Sequence, residues 1–393
     1  MVSISPELIE RIRSAIQTDR LIQTAISLIE IPSPTCDGKA VSDALANMLI
    51  ADGFDVQRPE GGWAKAPAVA ARHTVDSTGR VLQFNGHLDT VHLPFVPPRV
   101  ENGMLYGSGA SDMKGGIAAM VEAMRVLKET ETLPTGGILL TAHDLHEAPW
   151  GDGSQIDGLI ESGFVGDGVL LPEYLCDQLP VLGRGLAVLE VSITRDGEPI
   201  HEVLGGMEQP NVIQAGAKLV QAFAKWDERL RERTHPLGVR ESAFVGRVSS
   251  GEIYNQSPTE FQLSGTRRWL PETDADDVRR EFADLLSQVE QGTGTQVEGE
   301  FHFVRDAFEL DPNDWLAESF QAVSSAVMGK PLPVGVKPFV DDGNTFSAKA
   351  GIPAITHGPL AKGAHTVQEE VAVSELERVA LVYALTAITF CDA

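Results

Sequence analysis

The order of strand and helix patterns changes twice along the chain, and this change limits the folds open to it. From around residue 70 to Asp144, strand-like apolar runs alternate with helical patterns, which favours a mainly parallel sheet covered by helices on both faces. Between residues 185 and 305 the order becomes strand, helix, strand, strand, helix, strand, the split βαβ arrangement. After Trp315 the earlier alternation resumes. The pattern predicts an α/β domain formed by residues 1–184 and 306–393, and a smaller α+β domain inserted into it.

The beginning of the chain has a helical pattern. Apolar residues recur at helical spacing from Pro6 to Leu49, and Pro32 and Pro34 interrupt that spacing. We therefore expect two helices, one on each side of the prolines. The length of 393 residues fits a plan with two domains, because a single core rarely grows beyond about 250–300 residues.

The overall charge argues against several classes of partner. The chain has 31 Lys and Arg against 56 Asp and Glu, which gives a formal net charge of −25 at pH 7. A surface of this sign repels phosphate backbones and anionic lipid. We expect a small-molecule substrate, with neither nucleic acid nor a membrane surface as a partner.

The cysteines and the first residues bear on the compartment. Cys36, Cys176 and Cys391 are an odd number without C-x-x-C spacing, so they predict neither a disulfide framework nor a thiolate metal site. Charged residues between Glu7 and Arg13 interrupt the apolar run that a signal peptide needs. No stretch reaches the roughly 18 uncharged apolar residues of a membrane span. These features favour a cytoplasmic protein.

Five histidine and acidic side chains follow predicted strands or lie in loops, where ligand-binding groups are common. They are His87 in FNGHLDTV, Asp112 in LYGSGASDMKGG, Glu147 in HEAPWG, Glu173 in LLPEYL and His365 in GAHTVQEE. Taken singly, each has an ordinary explanation as a structural histidine, a helix N-cap or a solvated loop charge. Together, two histidines and three carboxylates are the nitrogen and oxygen ligands typical of zinc or a similar divalent ion.

In their order along the chain, these motifs resemble the co-catalytic zinc amidohydrolases, the family that includes acetylornithine deacetylase, succinyl-diaminopimelate desuccinylase, aminoacylases and glutamate carboxypeptidase. The matching segments are GHLDTV, GSGASDMKGG, HEAPWG, LLPE and GAHTVQEE, and GSGASDMKGG is the most specific of them. The resemblance implies a zinc-peptidase-like catalytic domain whose inserted, ferredoxin-like domain of residues 185–305 serves as a lid or dimerisation surface. It also implies a homodimer.

The resemblance implies a role for each of the five side chains. One divalent metal ion would be bound by His87, Asp112 and Glu173. A second ion would be bound by Asp112, Glu147 and His365, so that Asp112 bridges the pair. Zinc is the expected metal, with cobalt or manganese as alternatives.

The resemblance also implies roles for three residues outside that set. Asp89 would orient His87. His201, in GEPIHEVLGG, would reach across a dimer to the scissile carbonyl, and Arg268, in GTRRWLP, would bind a substrate carboxylate. From the residues alone, His201 could equally be a surface loop histidine, and Arg267 and Arg268 could be charges on a strand surface.

The chain departs from the family at the acidic turn. The family usually has two adjacent glutamates there, a general base and then a ligand, whereas this chain has His146, Glu147 and Ala148. If Glu147 is the ligand, His146 takes the place of the base; if Glu147 is the base, the second metal lacks a ligand. We prefer the first alternative, because a missing ligand would damage the site more than a histidine base, whose typical pKa of about 6.5 suits proton transfer near neutrality. Asp144 is a further candidate for either task.

The expected function is hydrolysis of an amide bond in a small N-acyl amino acid, a dipeptide or a related amide by a water that the metal ions acidify. Because the acidic turn is altered, another hydrolytic cleavage of a C–N bond, such as deamination, stays open. A relative without activity that binds a metabolite also stays open. Metal content separates this last alternative from the others, since such a relative need not keep two ions.

Overall fold

The computed structural model describes residues 4–392 of the chain. Its helices are α1 (Pro6–Ala15), α2 (Thr18–Ile29), α3 (Lys39–Ala51), α4 (Lys114–Thr130), α5 (Ser154–Glu161), α6 (Val212–Leu230), α7 (Ala275–Glu290), α8 (Trp315–Met328), α9 (Asp342–Thr345) and α10 (Val373–Cys391). Its strands are β1 (Asp55–Gln57), β2 (Val69–Thr74), β3 (Val81–His87), β4 (Arg99–Glu101), β5 (Met104–Tyr106), β6 (Gly137–His143), β7 (Gly168–Leu171), β8 (Leu179–Gly183), β9 (Gly185–Thr194), β10 (Ile200–His201), β11 (Ser242–Ser250), β12 (Gln256–Ser257), β13 (Glu260–Trp269), β14 (Gln296–Arg305), β15 (Phe308–Glu309), β16 (Val334–Lys337), β17 (Ala354–Thr356), β18 (Ala361–Lys362) and β19 (Glu370–Ala372).

The chain folds into two compact units. The first contains the chain up to Val181, Leu310–Lys337 and the chain from Asp341 onwards. The second contains Leu182–Glu309 together with the short segment Pro338–Val340. The candidate metal ligands all belong to the first unit, whereas His201 and Arg268 belong to the second.

The first unit is built on a six-stranded sheet with the order β1-β2-β6-β3-β7-β17. The strand β3 runs parallel to β6 and β7, and β7 runs parallel to β17. The strands β1 and β2 at one edge are antiparallel to their neighbours. Both β3 and β6 are buried along almost their whole length, as strands covered on both faces are. The predicted α/β class with a mainly parallel sheet is confirmed.

The helix α10 of the first unit is buried along most of its length. Every residue of it from Val379 to Cys391 is buried, and it packs against α4, α8 and the central strand β3. Its apolar character therefore reflects a position in the protein core. Within residues 4–392, no helix is long and apolar enough to cross a membrane.

The N-terminal region contains three helices, so the prediction of a single helix before Pro32 is wrong. The backbone leaves the helical conformation at Ile16, whose φ and ψ are −67° and 124°. The N–H of Gln17 then donates to the buried carboxylate of Glu122 on α4, at 2.8 Å. This tertiary contact favours a break that the apolar spacing alone does not reveal.

The second unit is an antiparallel sheet covered by two helices. Its strand order is β11-β13-β9-β14, and α6 and α7 pack against the sheet and against each other. Buried residues alternate along β9 and β13, which is the pattern of a sheet with one face in a core. The predicted split βαβ arrangement is confirmed.

A buried ion pair lies inside this second unit. Arg267 is fully buried and pairs with Glu241, whose carboxylate also accepts hydrogen bonds from the side chains of Arg233 and Thr273. Burial lowers the pKa of Arg267, although the charge of Glu241 opposes this change. The alternative of a strand-surface charge is therefore wrong for Arg267. Arg268, its neighbour on β13, is half-buried.

The ion pair gives a test of what stabilises the second unit. We expect Glu241→Ala to lower the free energy of unfolding by about 3–5 kcal/mol, because it removes the carboxylate nearest to the buried Arg267 and leaves only Glu281, at 3.6 Å. Urea unfolding followed by circular dichroism measures this loss. Glu298→Ala, at an exposed position of β14, is the control and should change stability by less than about 0.5 kcal/mol. Equal unfolding midpoints for the two variants would contradict the role of the pair.

Candidate metal centre

The parallel strands bring the candidate ligands to one edge of the sheet. In the pairing of β3 with β6, His87 lies opposite His143 at the carboxyl ends of both strands. Glu147 lies in the loop after β6, and Glu173 follows the end of β7 by two residues. The carboxyl ends of adjacent parallel strands are the usual position of binding sites in such sheets.

All five predicted ligands lie close together. Nε2 of His87 is 3.1 Å from Oδ1 of Asp112 and 3.8 Å from Oε1 of Glu173. Nε2 of His365 is 3.3 Å from Oδ2 of Asp112 and 3.2 Å from Oε2 of Glu147. Asp112 thus contacts one histidine through each carboxylate oxygen. Four of the five side chains are buried, and His365 is the exposed one.

Asp112 does not cap the helix that follows it. The N-cap residue of α4 is Met113, and no side chain caps this helix end. The loop before it is held instead by the buried carboxylate of Glu369, which accepts the backbone N–H groups of Gly109, Ser111 and Asp112, each at 3.1 Å. The Ser111 hydroxyl donates to the same carboxylate at 2.9 Å. The sequence placed Glu369 four residues after His365 but gave no sign of this role.

Asp89 contacts both His87 and the acidic turn. Nδ1 of His87 donates to the backbone carbonyl oxygen of Asp89 at 2.9 Å and lies 3.6 Å from the carboxylate. The Asp89 carboxylate accepts the backbone N–H groups of His146 and Glu147, at 3.0 and 2.9 Å. Nε2 of His87 is therefore the ring nitrogen that faces Asp112 and Glu173, and it is the nitrogen available to a metal ion.

Asp144 serves the structure of the acidic turn. Its carboxylate accepts four N–H groups, at 2.7–3.2 Å, from the backbones of Cys36, Gly38 and Leu145 and the indole of Trp63. These contacts occupy both carboxylate oxygens. The alternative of Asp144 as a ligand or base is therefore not supported by its contacts.

His146 lies between His87 and a residue that the sequence analysis missed. Its ring stacks on the ring of His87, with centroids 4.0 Å apart and planes 5° apart. Nδ1 of His146 is 3.2 Å from Oδ1 of the buried Asp342, and Nε2 is 3.9 Å from Oε1 of Glu173. Asp342 is the first residue of α9. In the sequence, the pair Asp341-Asp342 before Gly343 has the composition of an ordinary turn, so no local signal distinguished it.

The electrostatics of the site reflect several buried carboxylates in a small volume. Burial, with the charge of Asp112, raises the pKa of Glu173 well above its usual value. Hydrogen bonds with Asp112 and Glu147 raise the pKa of His365 to about 10. Burial would raise the pKa of Asp112, but hydrogen bonds with His365 and His87 lower it strongly. The surroundings thus favour positive charge between the carboxylates, which is the charge that a metal cation supplies.

The donor atoms fit one or two divalent cations. Among the described residues, ligand atoms of His87, His146 and Glu173 lie within 4.8 Å of one another, as do those of His87, Asp112 and Glu147. The donors are imidazole nitrogens and carboxylate oxygens, a set that suits zinc, cobalt or manganese. The residues present therefore fit a metal centre.

The two remaining candidates lie in the second unit. The ring nitrogens of His201 are within hydrogen-bond distance of the Val203 N–H (3.3 Å) and of the Asn255 side-chain amide (2.9 Å). Burial lowers the pKa of Arg268, although its guanidinium stays charged.

The chain is similar to known metal-dependent hydrolases. The sequence model of peptidase family M20/M25/M40 matches residues 83–389. A succinyl-diaminopimelate desuccinylase from Methylobacterium radiotolerans is 26% identical, over 93% of this chain and 95% of its own length. An M20 family metallo-carboxypeptidase from Sulfolobus solfataricus shares the fold with a TM-score of 0.80 at 16% identity, over 95% of this chain and 100% of that chain. A dinuclear metal-binding peptidase of the M20 family from Bacillus subtilis gives a TM-score of 0.69 at 14% identity, over 95% of this chain and 98% of that chain.

These similarities and the metal centre define the class of the protein as a metal-dependent hydrolase of amide bonds. More particularly, the chain belongs to peptidase family M20/M25/M40. The resemblance found in the sequence motifs is therefore confirmed, and so is the expectation of an enzyme.

The shared position of Asp112 gives a test of the metal centre. We expect Asp112→Ala to weaken binding of both metal ions by at least roughly 10–100-fold, the loss that removing even an outer partner of a ligand causes. Elemental analysis after dialysis measures the metal content. Asp19→Ala, at an exposed position of α2, is the control and should bind metal like the unchanged protein. Full metal content in Asp112→Ala would exclude the bridging role.

Proposed function

We propose that the protein hydrolyses the amide bond of a small N-acylated amino acid or a dipeptide. The observation that carries the proposal is the position of Asp112, whose two carboxylate oxygens face Nε2 of His87 and of His365 at 3.1 and 3.3 Å. A carboxylate shared in this way suits two cations held close together, as co-catalytic hydrolases use them. The 26% identity to a succinyl-diaminopimelate desuccinylase supports an N-acylated amino acid as the substrate.

We propose that the cofactor is a pair of divalent ions, with zinc as the natural metal and cobalt or manganese able to replace it. His87, Asp112 and Glu173 would hold one ion, and Asp112, Glu147 and His365 the other. When bound, such ions polarise an amide carbonyl and lower the pKa of a water molecule.

The proposed proton acceptor is His146. Its Nδ1 faces Asp342, so the unprotonated Nε2 faces Glu173, and 13% of the side chain is exposed to solvent. Nε2 would take a proton from the attacking water and transfer it to the leaving nitrogen as the C–N bond breaks. Glu147 would then be a ligand, which agrees with the distance of 3.2 Å between its Oε2 and Nε2 of His365.

We propose that the second unit supplies substrate-binding groups. His201 would reach across a dimer to the scissile carbonyl, and Arg268 would bind a carboxylate of the substrate. Arg268 supports this role because no carboxylate of the described residues pairs with its guanidinium, while burial keeps it partly shielded from water.

We also propose a cytoplasmic homodimer that forms through the inserted domain of residues 185–305. The strand β11 lies at an edge of its sheet, and its side chains Phe244 and Val248 are 63% and 50% exposed. An edge strand with exposed apolar side chains is suited to pairing with a second copy of the chain.

A substrate panel tests the proposed function. The protein would be incubated with N-succinyl, N-acetyl and dipeptide substrates in the presence of zinc, cobalt or manganese. We expect release of a free amine that a chelator abolishes and added metal restores. Release of ammonia would indicate deamination instead. Binding of a substrate without any product, by a protein that retains no metal, would indicate a relative without activity.

Two substitutions separate the base from the ligand in the acidic turn. We expect His146→Gln to lower kcat by roughly 10²–10⁴-fold, the usual contribution of a positioned base, with metal content unchanged. Glu147→Gln should lose both metal and activity. Steady-state kinetics and elemental analysis of the same samples measure both effects. Loss of metal in His146→Gln would show instead that His146 is a ligand, together with His87 and Glu173.

A further inference from the structure

The orientation of the His146 ring depends on contacts from two sides. One face stacks on His87 at 4.0 Å, and Nδ1 is 3.2 Å from the carboxylate of Asp342. An ionised carboxylate can only accept a hydrogen bond, so Nδ1 carries the proton and donates it to Asp342. In the neutral ring, Nε2 on the side of Glu173 is then the nitrogen without a proton. This is the nitrogen that base catalysis requires.

Asp342 is itself held by a buried polar chain. Its Oδ2 is 2.8 Å from Nε2 of His143 and accepts a hydrogen bond from the Asn85 amide at 3.4 Å. The chain continues from Asn85 to the hydroxyl of Thr141 and from there to Gln83, with both distances 2.8 Å. All of these side chains are buried. Such a network fixes the carboxylate in one position and orientation.

His143 adds a positive charge on the far side of Asp342. Its Nδ1 lies 3.0 Å from the carbonyl oxygen of Asp144, and its Nε2 lies 2.8 Å from Asp342. Both partners are acceptors, so both ring nitrogens carry a proton and the ring is cationic. Burial would lower the pKa of His143, but the charge of Asp342 raises it. Likewise, burial would raise the pKa of Asp342, but His146 and His143 lower it well below its usual value.

We propose that Asp342 is a positioning residue for His146, which it holds in the tautomer with the proton on Nδ1. The proposal rests on the proposed function, since it assigns Asp342 the task of preparing the proton acceptor. Asp342 keeps its negative charge throughout. The proton of the attacking water goes to Nε2 and then to the leaving amine, and none passes to Asp342.

The first test compares Asp342→Asn, His146→Gln and the double variant, each loaded with zinc. In Asp342→Asn the side-chain amide can donate to Nδ1, which moves the ring proton to Nε2. We expect kcat to fall at least about tenfold, but no further than the roughly 10²–10⁴-fold of His146→Gln, with KM and metal content unchanged. Because Asp342 acts through His146, the double variant should be no slower than His146→Gln alone.

The second test observes the tautomer directly and does not depend on turnover. Long-range ¹H–¹⁵N correlation on the zinc-loaded protein, labelled in histidine, reports which ring nitrogen carries the proton. The His146 signal is identified by its loss in His146→Gln. We expect a proton on Nδ1 in the unchanged protein and on Nε2 in Asp342→Asn. If the Asn variant does not fold, Asp342→Ala removes the acceptor altogether, and the proton should then no longer be confined to Nδ1.

Asp341→Asn is a matched control for a purely structural effect. Asp341 is the neighbouring carboxylate and equally buried, but it pairs with Lys337 and Thr356 and not with His146. This variant should lower thermal stability and leave kcat and the His146 tautomer of the folded protein unchanged.

The outcomes separate the two proposals. Additive losses in the double variant, or the same tautomer with and without Asp342, would overturn the positioning role. An unchanged protein without amide hydrolysis would overturn the proposed function instead, and the tautomer measurement would still decide the role of Asp342.

Discussion

The geometry of the metal centre depends on the carboxylate of Glu369. This buried group accepts the N–H groups of Gly109, Ser111 and Asp112, which lie in a loop that has no sheet partner to satisfy them. Glu369 also belongs to the segment that carries His365. One side chain therefore joins the loop of Asp112 to the loop of His365, the two residues proposed to share a metal ion. This link favours the short distance of 3.3 Å between Asp112 and His365.

The candidate ligands could be predicted from the sequence because each stands at a strand end or in a motif of its own. His87, Asp112 and Glu173 follow recognisable apolar runs or glycines, and their order along the chain matched a known family. The contacts that orient them could not be predicted in this way. Asp342 meets His146 across 196 positions of the sequence, and only the folded sheet brings the two together.

For the fold too, the sequence predicted the main elements but not the breaks that depend on long-range contacts. Alternation of strands and helices indicated the parallel sheet, since periodicity reflects which side chains are buried. It failed at Ile16, where a contact with α4 ends a helix in the middle of an apolar pattern. Arg267 is a different case, because it shares a strand face with Trp269 and alternation alone could have assigned it to the core side of β13. The charge of the residue obscured that signal.

The proposed use of His146 as the base explains why a carboxylate such as Asp342 is needed beside its ring. The two oxygens of a glutamate base are equivalent, so either can accept a proton. The two nitrogens of a neutral imidazole are different, and only the unprotonated one can act. A histidine in this position works only if a neighbour takes the proton of the other nitrogen, and Asp342 lies 3.2 Å from it. His143 completes the arrangement, because its positive charge keeps Asp342 ionised in a site already crowded with carboxylates. The proposed base His146 and the buried pair of Asp342 and His143 behind it therefore depend on each other.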